Sequence, residues 1–328
     1  MRRGLAVILL VLVSGCAAQL YPRGPISMEP AIEQDHWRAA DGVRLPLRSW
    51  LPSGRPKAVI LALHGMNDYS NAFDAPGRAL AAQGVATYAY DQRGFGGGPH
   101  PGFWSSAAAM ADDLCVAAAL LRERHPEAPL YVLGESMGGA VALVAAAAQP
   151  PPAVSGLILS APAVWGRSTM GFFQHTALWL AYRVAPGWTL SGGGLKIQPS
   201  DNMEMLRALS RDPLVIKATR VDAIHGMVDL MDAAQLASAD VELPTLLLYG
   251  EKDEIIPPAP TWAAIRRLPH LGDGQRVALY ADGWHMLLRD LQARVVVDDI
   301  VAWIEAPKAP LPSGADLRAE ARLAAEIQ

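Results

Sequence analysis

The feature that most limits the fold of this chain is an alternation of fully apolar segments with helical segments from residue 58 onward. Segments without a polar face are typical of strands that are buried on both sides of a sheet. We predict such strands at AVILALHG, VATYAYDQRG, LYVLGES, GLILSAP, PTLLLYGEKD and RVALYADGWH. Strands that alternate with helices form a parallel sheet covered on both faces. The sequence therefore predicts an α/β fold with a mostly parallel, doubly wound sheet.

This pattern assigns residues 34–305 to one α/β domain. Asp41-Gly42, between two alternating runs near its start, predicts a hairpin. An apolar, helical interruption at about 163–242 separates two groups of strands, and such an insertion lies at the edge of the sheet where ligands bind. We interpret it as a cap, with most of its aromatic residues packed on the sheet. Residues 306–328 are predicted to form a Pro-rich link and a C-terminal helix. We expect this helix to be solvated and frayed; the alternatives are that it lies on the body of the domain, on a partner or on the lipid surface.

The segment GESMGG, with Ser136 at its centre, follows one of the predicted strands and opens an Ala-rich helix. A Gly-x-Ser-x-Gly match is weak evidence by itself, because chance produces it in many chains. The strand before it and the helix after it are the setting of a nucleophile elbow. A serine hydroxyl becomes a good nucleophile only when a base takes its proton. Ser136 is therefore a candidate nucleophile that needs a histidine and an acid.

In this architecture the acid and then the histidine follow the serine in the chain. His285 stands just after the last predicted strand, and we predict that it is the base. Asp253 lies three residues past the preceding predicted strand and is the predicted acid, with Glu251 and Glu254 as the alternatives. Asp282 is only three residues before the histidine, so we assign it to a turn.

Acyl transfer also requires two hydrogen-bond donors that face the developing oxyanion. The backbone N–H of Met137, the residue after the nucleophile, is expected to be one of them. The second should come from the loop HGMNDYS, where Gly65 permits a turn and the N–H of Met66 is the natural donor. We expect His64 to brace this loop through a hydrogen bond rather than to act as a base.

Together these motifs resemble the α/β-hydrolases of the monoacylglycerol lipase and lysophospholipase type, also called serine aminopeptidase S33-like hydrolases. The resemblance covers about residues 34–304. The matching segments, in family order, are HGMNDYS, YDQRGFGGG, GESMGG, SAP, SRDPLVIKATRVDAIHGMVDLM, GEKDEIIP and GWHMLLRD. The resemblance implies that Ser136, Asp253 and His285 are catalytic and that Met66 and Met137 form the oxyanion hole.

The family pattern also leaves Asp91 and Arg93 as structural residues. Glu135 precedes the nucleophile where histidine is common, although glutamate also occurs, and its role stays open. The implied activity is hydrolysis of carboxylic esters of lipids, such as monoacylglycerol or lysophospholipid, through an acyl-enzyme. That chemistry needs no metal and no organic cofactor.

Two alternatives to this activity stay open. One is a serine peptidase of the prolyl-aminopeptidase type, which would need acidic cap residues to hold the substrate amine. The candidates for that role are Asp201, Glu204, Asp212, Asp222, Asp229 and Asp232. The other is a non-catalytic lipoprotein that uses the fold to bind lipid.

The N-terminus carries a targeting signal of its own. Two arginines precede an apolar run too short to span a bilayer, and LVSGC at residues 12–16 resembles a bacterial lipobox. We predict a signal peptide over 1–15, lipid attachment to Cys16 and a Pro-containing tether over 16–33. Ala17 after the cysteine suggests the periplasmic face of the outer membrane. The alternative is an ordinary secretory signal with an incidental cysteine.

The charge of the chain excludes one class of partner. The net charge is −4, and no block of Lys or Arg indicates nucleic-acid binding. The expected partners are a lipid ester substrate and the bacterial membrane. Cys115, the only other cysteine, lies on the apolar face of a predicted helix, so we expect it to pack there without an internal disulfide.

Overall fold

The computed structural model describes residues 17–192 and 196–325. The strands in these residues are β1 (Ala31–Ile32), β2 (His36–Arg38), β3 (Arg44–Trp50), β4 (Ala58–Leu63), β5 (Val85–Tyr90), β6 (Leu130–Glu135), β7 (Gly156–Ser160), β8 (Thr189–Leu190), β9 (Thr219–Arg220), β10 (Thr245–Gly250) and β11 (Gln275–Tyr280). The α-helices are α1 (Asp74–Ala82), α2 (Ala107–Arg124), α3 (Met137–Ala146), α4 (Phe172–Val184), α5 (Met203–Arg211), α6 (Val221–Ala237), α7 (Pro258–Ile265), α8 (Ala293–Glu305) and α9 (Ala315–Ala325).

The central sheet has the strand order β1-β2-β3-β5-β4-β6-β7-β10-β11. Pairing is antiparallel from β1 to β5 and parallel from there to the far edge. Every residue of β4, β5, β6, β7 and β10 is buried, because helices cover both faces. The six apolar segments predicted as strands are all strands of this sheet. The predicted mostly parallel, doubly wound architecture is therefore confirmed.

The predicted hairpin at Asp41-Gly42 is present and starts the sheet. β2 and β3 pair with Trp37 opposite Leu45. Gly42 has φ +82°, a conformation that suits glycine, and its N–H donates to the Ala39 carbonyl.

The insertion between β7 and β10 consists of two parts in different environments. Helices α4 and α5 have no fully buried residue. Helix α6 buries ten residues and packs along α3. On another side, a Cβ at Gly226 would lie 2.3 Å from the ring of Trp104, which precedes α2. Within the insertion predicted as a cap, about residues 163–242, helices α4 and α5 therefore lie at the surface, whereas α6 lies in the helical layer. An apolar helix that packs on the sheet has the same sequence pattern as one in a cap.

The segment 17–33, predicted to be a loose tether, lies against the domain instead. The Tyr21 N–H donates to the Trp104 carbonyl at 2.9 Å, and the Ser27 N–H donates to the Ala40 carbonyl at 2.8 Å. Further on, β1 pairs with β2. Backbone hydrogen bonds attach this segment to the domain. Because such bonds do not require a particular side-chain pattern, the sequence did not predict the attachment. Cys16 lies outside the described residues.

The C-terminal helix α9 also differs from the expectation of a solvated, frayed helix. It packs on β11 and buries Ala315, Asp316 and Ala319. The carboxylate of Asp316 pairs with the Arg276 guanidinium of β11 and accepts the Leu311 N–H at 3.1 Å. The charged residues of α9 suggested an exposed helix, but one of them, Asp316, forms a buried ion pair.

Within the part of the chain that the structure describes, no helix combines the length and the apolar character that crossing a bilayer requires.

We expect Ala319→Glu to lower the free energy of unfolding by about 2–4 kcal/mol, because it forces a charge into the contact between α9 and β11. Leu317→Glu is the matched control on the same helix, since Leu317 is 56 % exposed, and it should change stability by less than about 0.5 kcal/mol. Chemical denaturation followed by circular dichroism measures both. Equal midpoints for the two variants would show that α9 does not contribute to the folded domain.

Candidate active site

Ser136 occupies a strained turn between β6 and α3. Its φ is +52° and its ψ is −112°, a conformation that a residue with a side chain rarely adopts. Two hydrogen bonds hold the turn: the Ser136 N–H donates to the Ser160 carbonyl, and the Ala163 N–H donates to the Ser136 carbonyl, both at 2.9 Å. The serine therefore lies on the sharp strand-to-helix turn that the motif predicted.

The glycines around Ser136 are required by close approaches of the backbone. A Cβ at Gly138 would lie 2.1 Å from the Leu63 carbonyl oxygen, and a Cβ at Gly134 would lie 2.5 Å from the carbonyl carbon of Gly138. Even a Cβ at Gly65 would lie 3.4 Å from the Cβ of Ser136. The end of β4 and the turn at Ser136 therefore pass each other at backbone contact, which places the loop after β4 beside the serine.

Asp253 and His285 follow the neighbouring strands β10 and β11, and both are buried. His285 Nδ1 and Asp253 Oδ2 are 2.8 Å apart. The other oxygen of Asp253 accepts the N–H groups of Ile255 and Ile256, at 2.8 and 3.0 Å, so the carboxylate has a fixed orientation. An ionised carboxylate on Nδ1 keeps the proton there and leaves the lone pair of Nε2 available as a base.

The two alternative acids lie in other surroundings. Glu251 and Glu254 are exposed, and the carboxylate of Glu254 accepts the Gln198 N–H at 2.7 Å. Asp282 pairs with Lys252 on the surface, in agreement with its assignment to a turn. Among these four acids, Asp253 is the one in contact with His285.

The two predicted oxyanion donors come from different segments that adjoin Ser136. Met137 is the first residue of α3, so its N–H has no acceptor within the helix. Met66 lies in the loop after β4, next to Gly65, which approaches Ser136 closely.

His64 braces this loop, as predicted. Its Nε2 accepts the Gln92 N–H at 3.0 Å, which leaves Nδ1 as the donor to the Gly65 carbonyl at 2.8 Å. The Gln92 side chain in turn donates to the His64 carbonyl at 2.9 Å. Complete burial lowers the pKa of His64 and keeps the imidazole neutral. The ring therefore fixes the loop after β4, residues 64–70 and here called the oxyanion loop, to the end of β5.

The other side of the same loop is bound to the cap. The Asn67 side chain donates to Thr219 Oγ1 at 2.7 Å, and the backbone carbonyl of Asn67 accepts the Ile216 N–H at 2.9 Å. The Tyr69 hydroxyl donates to the Asp212 carboxylate at 2.7 Å. A change in the cap near residues 212–219 would therefore act directly on the oxyanion loop.

Glu135, whose role the sequence left open, belongs to a buried ion-pair network. The Arg289 guanidinium lies between two carboxylates, 2.7 Å from Glu135 Oε1 and 2.7 Å from Asp68 Oδ2. Glu135 precedes the nucleophile, Asp68 belongs to the oxyanion loop, and Arg289 follows His285 by four residues. One cation thus ties together the three loops that carry the reacting groups. Sequence reasoning missed this role. The signal was Arg289, a charged residue directly after the apolar residues MLL in the segment HMLLRD.

Asp290 also holds the loop that carries His285, through the residue before the histidine. Its carboxylate accepts the Trp284 N–H at 2.8 Å and the Ser200 hydroxyl at 2.6 Å. Burial raises the pKa of Asp290 to about 6, and the nearby carboxylates of Asp201 and Glu135 act in the same direction. Buried carboxylates therefore fix Trp284 before His285 and Arg289 after it.

Asp91 and Arg93 serve the scaffold. Asp91 accepts the N–H groups of Ser70 and Gly97. Arg93 is buried between Asp41 and Asp113. No group of three or more His, Cys, Asp or Glu side chains within residues 17–192 and 196–325 is arranged to hold a metal ion.

Comparisons with known proteins agree with this architecture. A family model described as serine aminopeptidase, S33, matches residues 54–292. The monoacylglycerol lipase of Mycolicibacterium smegmatis is 26 % identical over 275 residues, which cover 80 % of this chain and 93 % of that protein. The monoglyceride lipase of Rattus norvegicus is 26 % identical over 289 residues, which cover 86 % and 94 %.

Among solved structures, a soluble variant of the monoglyceride lipase of Saccharomyces cerevisiae, in complex with a substrate analogue, is similar with a TM-score of 0.70. The sequence identity is 19 %, and the match covers 87 % of this chain and 98 % of that one. The likeness confirms the predicted α/β-hydrolase fold.

We expect Arg289→Lys to lower kcat on p-nitrophenyl butyrate by about ten- to a hundredfold with little change in KM. An ammonium group cannot span two carboxylates as a planar guanidinium does, and small displacements of reacting groups have effects of this size. Arg294→Lys, on the exposed ion pair with Asp298, is the matched control and should leave both constants unchanged.

Arg289→Met is the second variant at this position. It leaves two buried carboxylates without their cation and should destabilise the fold by about 3–5 kcal/mol. A folded Arg289→Lys enzyme with the wild-type kcat would show that the network does not position the site.

Proposed function

Because the chain belongs to the serine aminopeptidase S33 family and has the α/β-hydrolase fold, we propose that it hydrolyses carboxylic esters of lipids while anchored to a membrane. The observation that carries this proposal is the 2.8 Å contact of His285 with Asp253, in the same sheet edge as the strained Ser136. We infer monoacylglycerols or lysophospholipids as the substrate class.

The acylation step follows from the roles proposed for these residues. Ser136 Oγ attacks the ester carbonyl carbon, while His285 Nε2 takes the hydroxyl proton. The carbonyl oxygen becomes an oxyanion that the N–H groups of Met66 and Met137 stabilise. His285, now an imidazolium stabilised by Asp253, gives the proton to the leaving alcohol as the C–O bond breaks. The product is an acyl ester of Ser136 and a free alcohol.

Deacylation repeats the sequence with water. His285 takes a proton from a water molecule, whose oxygen attacks the acyl carbon. The tetrahedral intermediate then collapses, the bond to Ser136 Oγ breaks, and the proton returns to the serine. The fatty acid leaves, and the enzyme is restored.

Three features support a lipid ester as the substrate. The insertion between β7 and β10, which contacts the loop beside Ser136, is rich in apolar residues. Ser136 is 9 % exposed and His285 is 5 % exposed, so the reaction takes place away from bulk water. The two relatives described above are named monoacylglycerol and monoglyceride lipases.

The peptidase alternative needs a free carboxylate near the site to hold a substrate amine. Most of the candidate acids are already engaged by the protein. Asp229 and Asp232 pair with Arg167, and Asp222 pairs with Arg220. Asp212 accepts the Tyr69 hydroxyl, and Asp201 accepts the Leu291 N–H. These contacts leave few carboxylates to bind a substrate amine, and they therefore favour an ester substrate over a peptide substrate.

The non-catalytic alternative does not account for the backbone strain at Ser136. Positive φ at a residue with a side chain costs about 1–3 kcal/mol and persists where a function maintains it. A protein that only bound lipid would gain nothing from this conformation or from the buried contact between His285 and Asp253.

The membrane anchor is proposed from the lipobox alone. Cys16 lies outside the described residues, and the described chain begins at the next residue. One acyl chain gives only marginal membrane binding, whereas several chains on one cysteine give a stable anchor. A lipid substrate and a membrane anchor are mutually consistent.

We expect Ser136→Ala to abolish turnover of p-nitrophenyl butyrate and of 1-monooleoylglycerol, with unchanged circular dichroism. A fluorophosphonate probe should label the wild type and not the variant. The control is Ser155→Ala, away from the elbow and before β7, which should retain both activity and labelling. Higher turnover of prolyl-β-naphthylamide than of monooleoylglycerol would favour the peptidase instead.

We expect Cys16→Ser to move the protein from the membrane fraction to the soluble fraction of the expressing cells, since it removes the site of lipid attachment. Cys115→Ser is the matched control and should remain in the membrane fraction. Fractionation followed by immunoblotting measures the distribution. If both variants stay with the membrane, Cys16 is not the anchor.

A further inference from the structure

We propose that residues 17–30, here called the N-terminal strap, hold the lipid anchor beside helix α4, so that the anchor and the exposed apolar side chains of α4 form one membrane-facing surface. The inference rests on the proposed lipidation of Cys16. It adds to that proposal an orientation: the cap, rather than another side of the domain, faces the bilayer.

The first observation is the apolar character of α4 and the turn after it. A helix with large apolar side chains in water marks a surface that something covers. Phe173 is 85 % exposed, Phe172 76 % and Trp188 71 %. Leu178 and Tyr182 form the inner edge toward α6 and are half-buried. The exposed apolar residues, here called the α4 apolar surface, are Phe172, Phe173, Trp179, Leu180, Val184, Trp188 and Leu190.

The second observation is that the strap is attached to the domain at the base of the cap. The Gln19 N–H donates to the Asp222 carboxylate, at the start of α6, at 3.2 Å. The Tyr21 N–H donates to the Trp104 carbonyl at 2.9 Å. The Tyr21 ring stacks on the His100 ring with centroids 3.7 Å apart. The strap therefore has a defined path instead of leaving the domain free to rotate about its anchor.

The third observation is where the described chain begins. Ala18 lines a surface cavity of about 530 Å³ together with Trp179, Tyr182, Arg183 and His225. Consecutive Cα atoms are about 3.8 Å apart, so Cys16 follows within two residues of this cavity. Acyl chains on Cys16 would thus enter the bilayer next to α4.

The charge of this region fits an anionic lipid surface. Residues 161–200 contain neither Asp nor Glu, in a chain with a net charge of −4. Their basic residues are Arg183, Lys196 and Arg167, of which Arg167 pairs with Asp229 and Asp232. Arg183 lies over the Trp179 ring, 4.7 Å from its centroid. An aromatic ring with a cation over its face suits the boundary between acyl chains and headgroups. The occupant of the α4 apolar surface is therefore a bilayer that contains anionic phospholipid.

The test uses the full lipidated protein in vesicles of phosphatidylcholine and phosphatidylglycerol. In a Cys115→Ser background, Phe173→Cys carries an environment-sensitive fluorophore, and Leu317→Cys, on α9, is the matched exposed control. We expect spin-labelled phospholipids to quench the fluorophore at position 173 severalfold more than at position 317. Equal quenching at both positions would overturn the proposal, as would a second copy or another protein protecting position 173 in the absence of lipid.

A second comparison tests the strap itself. Gln19→Pro together with Tyr21→Ser removes one backbone donor and the aromatic stack, while Cys16 stays intact. We expect unchanged membrane attachment and unchanged hydrolysis of p-nitrophenyl butyrate, but severalfold weaker quenching at position 173. Ile26→Ser, at an exposed strap residue that is 77 % exposed, should behave like the wild type. Undiminished quenching in the double variant would show that the strap does not set the orientation.

Separate readouts distinguish this inference from the proposed function. Mass spectrometry reports whether Cys16 carries lipid, and ester turnover reports whether the site is active. A lipidated, active enzyme with an unquenched fluorophore at position 173 overturns the strap proposal alone. An unmodified Cys16 overturns the anchor and the strap proposal together and leaves the esterase proposal standing.

Discussion

The positive φ of Ser136 is the constraint on which the rest of the site depends. A conformation of this kind costs about 1–3 kcal/mol, so the surroundings must enforce it. They do so through the hydrogen bonds of Ser136 with Ser160 and Ala163, and through the contact of Gly138 with the end of β4. Any side chain at Gly138 would push the two strand ends apart. The strained serine and the close-packed sheet edge are therefore two aspects of one arrangement.

Parallel strands end at the same edge, and this explains how residues far apart in sequence form one site. β4 supplies the oxyanion loop, β6 the serine, β10 the acid and β11 the base. The sheet brings the loops to one edge but does not fix their relative positions to the accuracy that catalysis needs. Arg289 supplies part of that accuracy, because its contacts with Glu135 and Asp68 join three of the four loops. The buried cation is stable there because two carboxylates offset its desolvation.

The sequence predicted those features that leave a local pattern. Fully apolar runs predicted the strands, and the placement of Asp253 and His285 at strand ends predicted their contact. Features that depend on distant partners were missed or wrong. The partners of Arg289 lie 154 and 221 residues away in the chain, the strap docks through backbone groups, and α6 resembles a cap helix until its contact with α3 is known.

The cap helices are held less firmly than the helices that pack on the sheet. Helix α3 buries nine of its ten residues, whereas α4 and α5 bury none fully. Segments with few buried contacts open locally at a lower free-energy cost than the core does. A lipid that reaches Ser136 through such an opening would separate the cap from Asn67 and Tyr69, whose hydrogen bonds link it to the oxyanion loop. Access to the site and the geometry of the oxyanion hole are thus coupled through the same few bonds.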